Sequence, residues 1–165
     1  MQEAFKGEFY QKVDSKARVS IPAQMRRILE QGDPPDAERT RPRIVMIYGA
    51  GGKHAQCYSM AGARRLYATI YSHEEGSELR DDLEIAFVSR SVDVEVDDDG
   101  RIVLPPKVRQ RMGVTADDLA KGFSATFSGK LDRFEIWKSE TYDAETSDID
   151  SVNPDIRRRL TPPKP

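Results

Sequence analysis

The sequence contains few of the residues on which enzymes and secreted proteins commonly depend. It has one cysteine and two histidines in 165 residues, so Cys57 has no internal disulfide partner and no cluster has metal-ligand spacing. We interpret Cys57 as a core residue. No nucleophile accompanies a base and no paired carboxylates suggest a catalytic cleft. The sequence therefore predicts no enzyme, no cofactor and no small-molecule substrate.

Long apolar runs are also missing. Residues 1–10 lack the apolar core of a secretory signal, and the longest strand-like apolar run, residues 44–48, is too short to cross a bilayer. Hydrophobic residues make up 38% of the chain and charged residues 33%, which indicates a charge-rich protein with a modest core. We therefore expect a cytoplasmic protein with no membrane partner.

A surplus of positive charge is absent as well. The formal net charge is −2, whereas proteins that bind nucleic acid commonly carry a basic excess that attracts phosphate. Any nucleic-acid surface must therefore be local. Residues 1–30 contain six basic and four acidic side chains, whereas residues 91–113 contain four basic and five acidic ones. The first segment is thus the better candidate for facing phosphate.

The chain does contain an internal repeat. Residues 13–26 align without gaps with residues 96–109, an offset of 83 positions. Such a repeat predicts two copies of one supersecondary unit. The shared motif is Asp-x-x-x-Arg-x-x-x-Pro, and its residues are Asp14, Arg18 and Pro22 in the first copy and Asp97, Arg101 and Pro105 in the second.

The pattern around each motif predicts local structure. A strand-like run precedes each copy, and the second run alternates valine with acidic residues, as a half-buried strand does. A turn led by aspartate follows, and the next strand stops at a proline, which is tolerated in the first turn of a helix. Each repeat therefore reads β-β-α-β-β, with a surface loop at residues 32–42. The predicted strands are residues 9–13, 18–21, 44–48, 56–59, 92–96, 101–104, 123–127 and 133–137, and the predicted helices are 23–30, 60–72, 77–88 and 106–112.

The doubled motif resembles the MraZ family, bacterial regulators with two tandem AbrB-type modules. Three further segments carry the resemblance: residues 5–9 (FKGEF), 21–23 (IPA) and 134–138 (FEIWK). The resemblance covers about residues 5–145. One departure is Ala17, which stands where the family usually has a glycine. The second copy keeps that glycine as Gly100. Because alanine disfavours a left-handed backbone, the geometry of the first turn does not follow from the sequence.

The resemblance implies a fold and a division of the chain. We expect an α+β, β-rich fold in which two tandem AbrB-like swapped-hairpin half-barrels, joined through a helical segment, form one pseudo-twofold barrel. The expected boundaries are a first repeat at residues 5–59, a helical connector at 60–88, a second repeat at 89–142 and a disordered tail at 148–165.

The resemblance also implies a function. We expect a cytoplasmic, nucleoid-associated transcriptional regulator that binds short direct repeats in double-stranded DNA, upstream of a division and cell-wall gene cluster, as a ring-shaped homo-oligomer. The alternative is an AbrB-type antitoxin or protein-interaction module. The duplicated module and the lack of a long amphipathic tail favour the regulator.

Arginine is well suited to reading DNA because its planar fork can donate two bonds to guanine, and a two-stranded ribbon fits the major groove. The candidate residues are DNA contacts at Lys16, Arg18 and Arg101 and turn supports at Asp14, Asp97 and Gly100. The alternative is that each Asp-Arg pair is only a structural salt bridge. Asp99 occupies the position equivalent to Lys16 and would repel phosphate. We therefore expect the second repeat to have mainly a structural role and to contact DNA less than the first.

Overall fold

The computed structural model describes residues 3–149 and 155–165 and has a mixed α+β architecture. The strands are β1 (Glu8–Val13), β2 (Arg18–Ser20), β3 (Arg43–Ile47), β4 (His54–Ser59), β5 (Ser91–Glu95), β6 (Arg101–Val103), β7 (Phe123–Gly129) and β8 (Phe134–Lys138). The helices are α1 (Ala23–Gln31), α2 (Met60–Tyr71), α3 (Glu78–Glu84), α4 (Pro106–Met112), α5 (Ala116–Lys121) and α6 (Ser139–Thr146). A π-helical turn, Ile85–Ser89, extends α3, and a 3₁₀ turn, Ser147–Ile149, follows α6.

Each predicted strand and helix is present, and the ends lie within two residues of the prediction when the π-helical turn Ile85–Ser89 is counted with α3, which itself ends four residues early. Two helices were not predicted. The first, α5, begins with a capping box in which Thr115 accepts from the N–H of Asp118 and the Asp118 carboxylate accepts from the N–H of Thr115. The second, α6, follows β8 directly without a capping side chain.

Six strands form one antiparallel sheet in the order β1-β7-β8-β4-β3-β5. The first strand of each copy pairs with a strand of the other copy: β1 pairs with β7, and β5 pairs with β3. The first copy contributes β1 to β4 and the second β5 to β8. Exchanging each strand for its equivalent in the other copy gives the same order read from the other edge. The sheet is therefore built around a pseudo-twofold axis that passes between β8 and β4, where the two copies meet.

The remaining strands, β2 and β6, form a separate two-stranded antiparallel ribbon. Val19 lies opposite Ile102, its equivalent in the second copy, so the same pseudo-twofold relation holds in the ribbon. Two equivalent hydrogen bonds, both 2.9 Å long, flank the ribbon and run from the N–H of Ile21 to the carbonyl of Gly100 and from the N–H of Leu104 to the carbonyl of Ala17.

One main core joins the sheet, the ribbon, α1 and α4. Val19 and Ile102 contribute from the ribbon, where each is at most 2% exposed. Cys57 is fully buried in this core, which confirms its predicted place, and burial raises the pKa of its thiol well above the usual value. A second cluster packs α2 against the outer side of β3 and β4 through Ala63, Val45 and neighbouring side chains.

The helical connector is capped by serines. The hydroxyl of Ser59 accepts from the N–H of Gly62 at the start of α2, and Ser77 does the same for α3 through Arg80. Among the described residues, no helix is long and apolar enough to span a membrane. The predicted tail overlaps residues 150–154, which lie outside the described residues, and residues 155–159 form a turn. Disorder of the tail remains a prediction.

Candidate nucleic-acid interface

The first motif folds into a tight turn that the Asp14 carboxylate closes. Its Oδ1 accepts from the backbone N–H groups of Lys16 (3.0 Å) and Arg18 (2.9 Å), and its Oδ2 accepts from Nε of Arg18 at 2.7 Å. These bonds favour the ionised carboxylate. They hold the pKa of Asp14 below its usual value, and the bond from the Arg18 backbone N–H is the largest cause.

The second motif repeats this geometry. Oδ1 of Asp97 accepts from the N–H groups of Asp99 and Arg101, both at 2.9 Å. The bond from Arg101 is the main reason that the pKa of Asp97 is also lowered. Gly100 has a φ of 77°, and Ala17 adopts the same left-handed conformation with a φ of 62°. The first turn therefore keeps the geometry of the second although it lacks the glycine.

The ribbon brings the two motif arginines to one face. Side chains alternate along a strand, so Val19 and Ile102 point into the core while Arg18 and Arg101 point outward. Arg18 lies opposite Val103, which places Arg18 and Arg101 as diagonal neighbours. Such neighbours are separated by roughly 7 to 8 Å. The structure thus presents two half-exposed guanidinium groups on one narrow surface.

The two arginines differ in their contacts. Arg18 bonds to Asp14 through Nε, and within the described residues its two Nη groups have no protein acceptor. Arg101 instead donates from Nη2 to Asp99 at 3.2 Å, and its Nε lies 3.7 Å from the Asp97 carboxylate. Lys16, the counterpart of Asp99, is exposed. The fork of Arg18 is therefore available to a ligand, whereas that of Arg101 is engaged within its own turn.

Arginines of the first copy surround the acidic second turn. Arg41, from the loop after α1, binds the Asp98 carboxylate through two bonds of 3.1 and 3.0 Å. The Arg26 guanidinium from α1 packs so closely on Gly100 that a Cβ at this glycine would overlap it. The negative charge of this turn is therefore partly neutralised inside the molecule. No local pattern in the sequence identifies Arg41, because its partner lies 57 positions away.

The described residues contain no group of three or more histidine, cysteine, aspartate or glutamate side chains that could hold a metal ion. Arg18 on the ribbon and Lys16 in the turn before it present exposed or half-exposed hydrogen-bond donors. Such donors recognise anionic or acceptor-rich surfaces, which include phosphate oxygens and the O6 and N7 atoms of guanine.

Comparisons with known proteins find related sequences along most of the chain. The family model for the MraZ protein, which its description calls antitoxin-like, matches residues 87–160. Transcriptional regulator MraZ of Cereibacter sphaeroides (strain ATCC 17025 / ATH 2.4.3) is 45% identical over 152 residues, which cover 92% of this chain and 90% of that protein. The same regulator of Ruegeria sp. (strain TM1040) is 42% identical over 144 residues, or 87% and 82% of the two chains. That of Parvibaculum lavamentivorans is 28% identical over 158 residues, or 95% and 89%.

Proposed function

The chain belongs to the MraZ family of transcriptional regulators, and from this premise we propose that it binds double-stranded DNA sequence-specifically through the ribbon of β2 and β6. One observation carries the proposal: Arg18 stands on the exposed face of the ribbon with its Nε held by Asp14 and its Nη groups available. The targets that we propose are short direct repeats upstream of a division and cell-wall gene cluster, bound in the cytoplasm at the nucleoid.

Arg18 would read a base and Lys16 would contact the backbone. The fixed Nε of Arg18 leaves the two Nη groups to donate in parallel to O6 and N7 of a guanine in the major groove. Because Asp14 already orients the fork, less side-chain entropy is lost on binding. Lys16 is an exposed point charge at the tip of the same turn. The first copy is therefore the proposed reading head, and the second turn contributes less because Asp99 engages Arg101.

The proposed architecture is a pair of AbrB-like swapped-hairpin half-barrels at residues 5–59 and 89–142, joined by a connector at 60–88 into one pseudo-twofold barrel. The exchange of β1 and β5 between the copies supports this proposal. So does the symmetric pairing of Val19 with Ile102.

Self-association into a ring is the proposed means of gaining affinity. The connector exposes four large apolar side chains, and exposed apolar groups that cluster favour association. They are Tyr71 (73% exposed), Leu79 (55%), Ile85 (48%) and Val88 (44%). Several weak sites that engage repeated DNA boxes together can raise avidity by roughly 10²- to 10⁴-fold. Such a gain suits a chain whose net charge is −2.

The direct test is fluorescence anisotropy with direct-repeat DNA from upstream of the chain's own gene and with a scrambled control. We expect Arg18→Ala to reduce the ratio of specific to scrambled affinity by roughly 5- to 150-fold, the value of one bidentate base contact. Arg18→Lys keeps the charge but loses the fork, and should lose nearly as much discrimination. Arg101→Ala should retain most of it.

Two outcomes would contradict the proposal in different ways. Discrimination by Arg18→Ala equal to that of the unmodified protein would refute the assignment of Arg18 and leave DNA binding intact. Absence of specific binding by the unmodified protein at every salt concentration would refute the function itself.

An antitoxin or protein-interaction role is the second candidate function. We keep it because the description of the matched family model calls that family antitoxin-like. That role requires a protein partner that blocks or replaces DNA binding. Pull-down of a toxin encoded beside the gene, abolished by changes in the connector but not by Arg18→Ala, would support it over the regulator.

A further inference from the structure

A cleft lined by positive charge lies where α4 meets the loop between β3 and β4. We call it the basic cleft and define it by Lys53, Arg90, Lys107 and Arg111. Its volume is about 420 Å³, and the remaining lining residues are Tyr48, Gly52 and Gln110. Three separate segments of the chain thus bring four cations to one concave surface without a single acidic lining residue.

Among the residues that the structure describes, the cations of the basic cleft form no salt bridge. In the described part of the chain, no carboxylate lies within 4.0 Å of any of the four. Arg111 is fixed through Nε, which donates to the carbonyl of Tyr48 at 2.7 Å. The chain has 28 acidic residues against 26 basic ones. Acids are therefore plentiful, and a shortage of them does not explain why these cations are unpaired. Like charges held together favour an anion that neutralises them.

The pseudo-twofold axis provides an internal comparison. The N–H of Tyr48 donates to the carbonyl of Arg90 at 2.9 Å, and at the other end of the sheet Gly129 donates to Gly7 at 2.8 Å. These bonds occupy equivalent positions, since Gly7 precedes β1 as Arg90 precedes β5. A glycine therefore replaces one of the cations at the second end.

Two arginines of the second end are paired with acids, and the two lysines there, Lys6 and Lys130, are exposed. Arg27, the equivalent of Gln110, binds Glu3 at 2.9 Å. Arg133, from the end of the β7–β8 loop, binds Asp132 at 3.0 Å. The fold itself therefore does not require unpaired cations at these positions, and the basic cleft is a property of one end.

The segment that leads into α4, and so to the basic cleft, is bonded to the first turn rather than to the second. The N–H of Leu104 donates to the carbonyl of Ala17 in the first turn, and α4 begins two residues later. At 1.5 Å per residue, Lys107 and Arg111 follow along the helix about 6 Å apart. The second turn lies beyond the whole of β5, roughly 20 Å from Arg90 at 3.3 Å per residue. α4 therefore leads from the proposed reading head to the cleft.

We propose that the basic cleft holds backbone phosphates of the DNA strand that flanks the bases read by the first turn, an inference that rests on the proposed function. Its side chains are exposed or half-exposed and can neutralise phosphates with release of condensed counterions. These contacts position the duplex without reading its sequence. They also give the first turn an anchor that the second turn lacks, although three of the four cations come from the second repeat.

The test uses the double variant Lys53→Gln/Lys107→Gln and a matched control, Lys6→Gln/Lys130→Gln, which removes two exposed lysines from the other end of the sheet. Affinity for specific and scrambled DNA is measured over a range of salt concentrations, and thermal unfolding checks that both variants are folded. With two phosphate contacts removed, the slope of log affinity against log salt should fall by about 1.8. The ratio of specific to scrambled affinity should stay unchanged, and the control should match the unmodified protein.

Each other result would overturn the inference. An unchanged salt slope in the cleft variant, together with lost discrimination in Arg18→Ala, would refute the cleft and leave the proposed function standing. Absence of specific DNA binding by the unmodified protein would refute both. Tight binding of inorganic pyrophosphate in the absence of DNA, abolished in the cleft variant with an unchanged DNA salt slope, would assign the cleft to a compact phosphorylated ligand instead.

Discussion

At the residue scale, one position separates two turns that share the same backbone. Asp14 and Asp97 close their turns with the same pair of backbone hydrogen bonds. Lys16 in the first turn leaves the Arg18 fork unopposed, whereas Asp99 in the second accepts from Arg101. The two turns thus differ in side-chain charge and not in backbone geometry, and this difference is the basis for proposing the first as the reading head.

Gly100 provides a residue-scale test of how Arg26 packs on the second turn. Gly100→Ala should reduce the free energy of unfolding by about 1 to 2 kcal/mol, because alanine is strained at positive φ and its Cβ must displace the Arg26 guanidinium. Gly76→Ala is the matched control, since Gly76 has a similar φ of 82° with nothing near its Cβ position. It should cost only the strain, about 1 kcal/mol.

Urea unfolding measures both costs. In an Arg26→Ala background, Gly100→Ala should reduce the free energy of unfolding no more than Gly76→Ala does. An equal cost at Gly76 and Gly100 in the unmodified background would show that Arg26 does not rest on the turn.

Ala17 illustrates what the sequence could not predict at this scale. The motif predicted two equivalent turns, but the alanine left the geometry of the first open. The structure adopts a φ of 62° because the Ala17 methyl group is fully buried in the main core. Burial of one methyl group, worth about 0.8 kcal/mol, offsets much of a left-handed cost of about 1 to 2 kcal/mol. Tertiary packing of this kind leaves no local signal.

At the element scale, the most buried anchor of the loop after α1 is Asp33. The Asp33 carboxylate accepts two bonds of 2.9 Å from the Arg43 guanidinium and one of 3.0 Å from its backbone N–H, so it ties the loop to the start of β3. Asp33 is 8% exposed. This anchor also fixes the path of the loop that carries Arg41 to the second turn.

Asp33→Asn should therefore destabilise the fold by about 2 kcal/mol near neutral pH, the value of hydrogen bonds to a charged group. The Arg43 side-chain bond is the main cause that lowers the pKa of Asp33 below its usual 3.8. Its contribution is present above pH 3.8 and is lost as the pH falls through the lower, folded-state pKa. Unfolding experiments between about pH 7 and pH 3 should show the gap closing at the acidic end.

Asp36→Asn is the control, because Asp36 lies in the same loop, is exposed and accepts only from the backbone N–H groups of Glu38 and Arg39. It should cost less than Asp33→Asn. A cost for Asp33→Asn that does not change with pH would contradict the ionised pair.

Most elements could be predicted from the sequence because their boundaries are local. The prolines after β2 and β6 mark the starts of α1 and α4, and Thr115 with Asp118 was a readable capping signal for α5. No local pattern predicted α6, which is held by tertiary contacts such as those of Ser139 with Ser124 and Thr126. The exchange of β1 and β5 was expected only through the family resemblance, since strand pairing between distant segments is not encoded locally.

At the scale of the whole molecule, a symmetric framework carries an asymmetric charge. The sheet order is unchanged when the copies are exchanged, yet the free arginine fork and the basic cleft both belong to the region around the first turn and α4. Net charge and composition could not predict this positively charged region, because its residues come from four distant segments of the chain. Only the three-dimensional structure brings them together.

The proposed ring gives a prediction at the same scale. Light scattering should give a mass that is a multiple of 18.7 kDa, and Ile85→Glu/Val88→Glu should lower it because charge opposes burial of the apolar connector. Affinity for DNA with repeated boxes should then fall by up to roughly 10²- to 10⁴-fold, while a single box is bound as before. Ile149→Glu, exposed outside the connector, is the control. A monomeric unmodified protein would refute the ring.

The most direct test of the central claim exchanges the two tip charges. The variant Lys16→Asp/Asp99→Lys keeps the net charge of −2 and should move the reading head to the second copy, because the carboxylate introduced at the first tip would engage Arg18 while Arg101 is released. In this background we expect Arg101→Ala, and no longer Arg18→Ala, to reduce the ratio of specific to scrambled affinity by roughly 5- to 150-fold. If Arg18→Ala still causes the larger loss of discrimination, the tip charge does not select the reading head and the account is wrong.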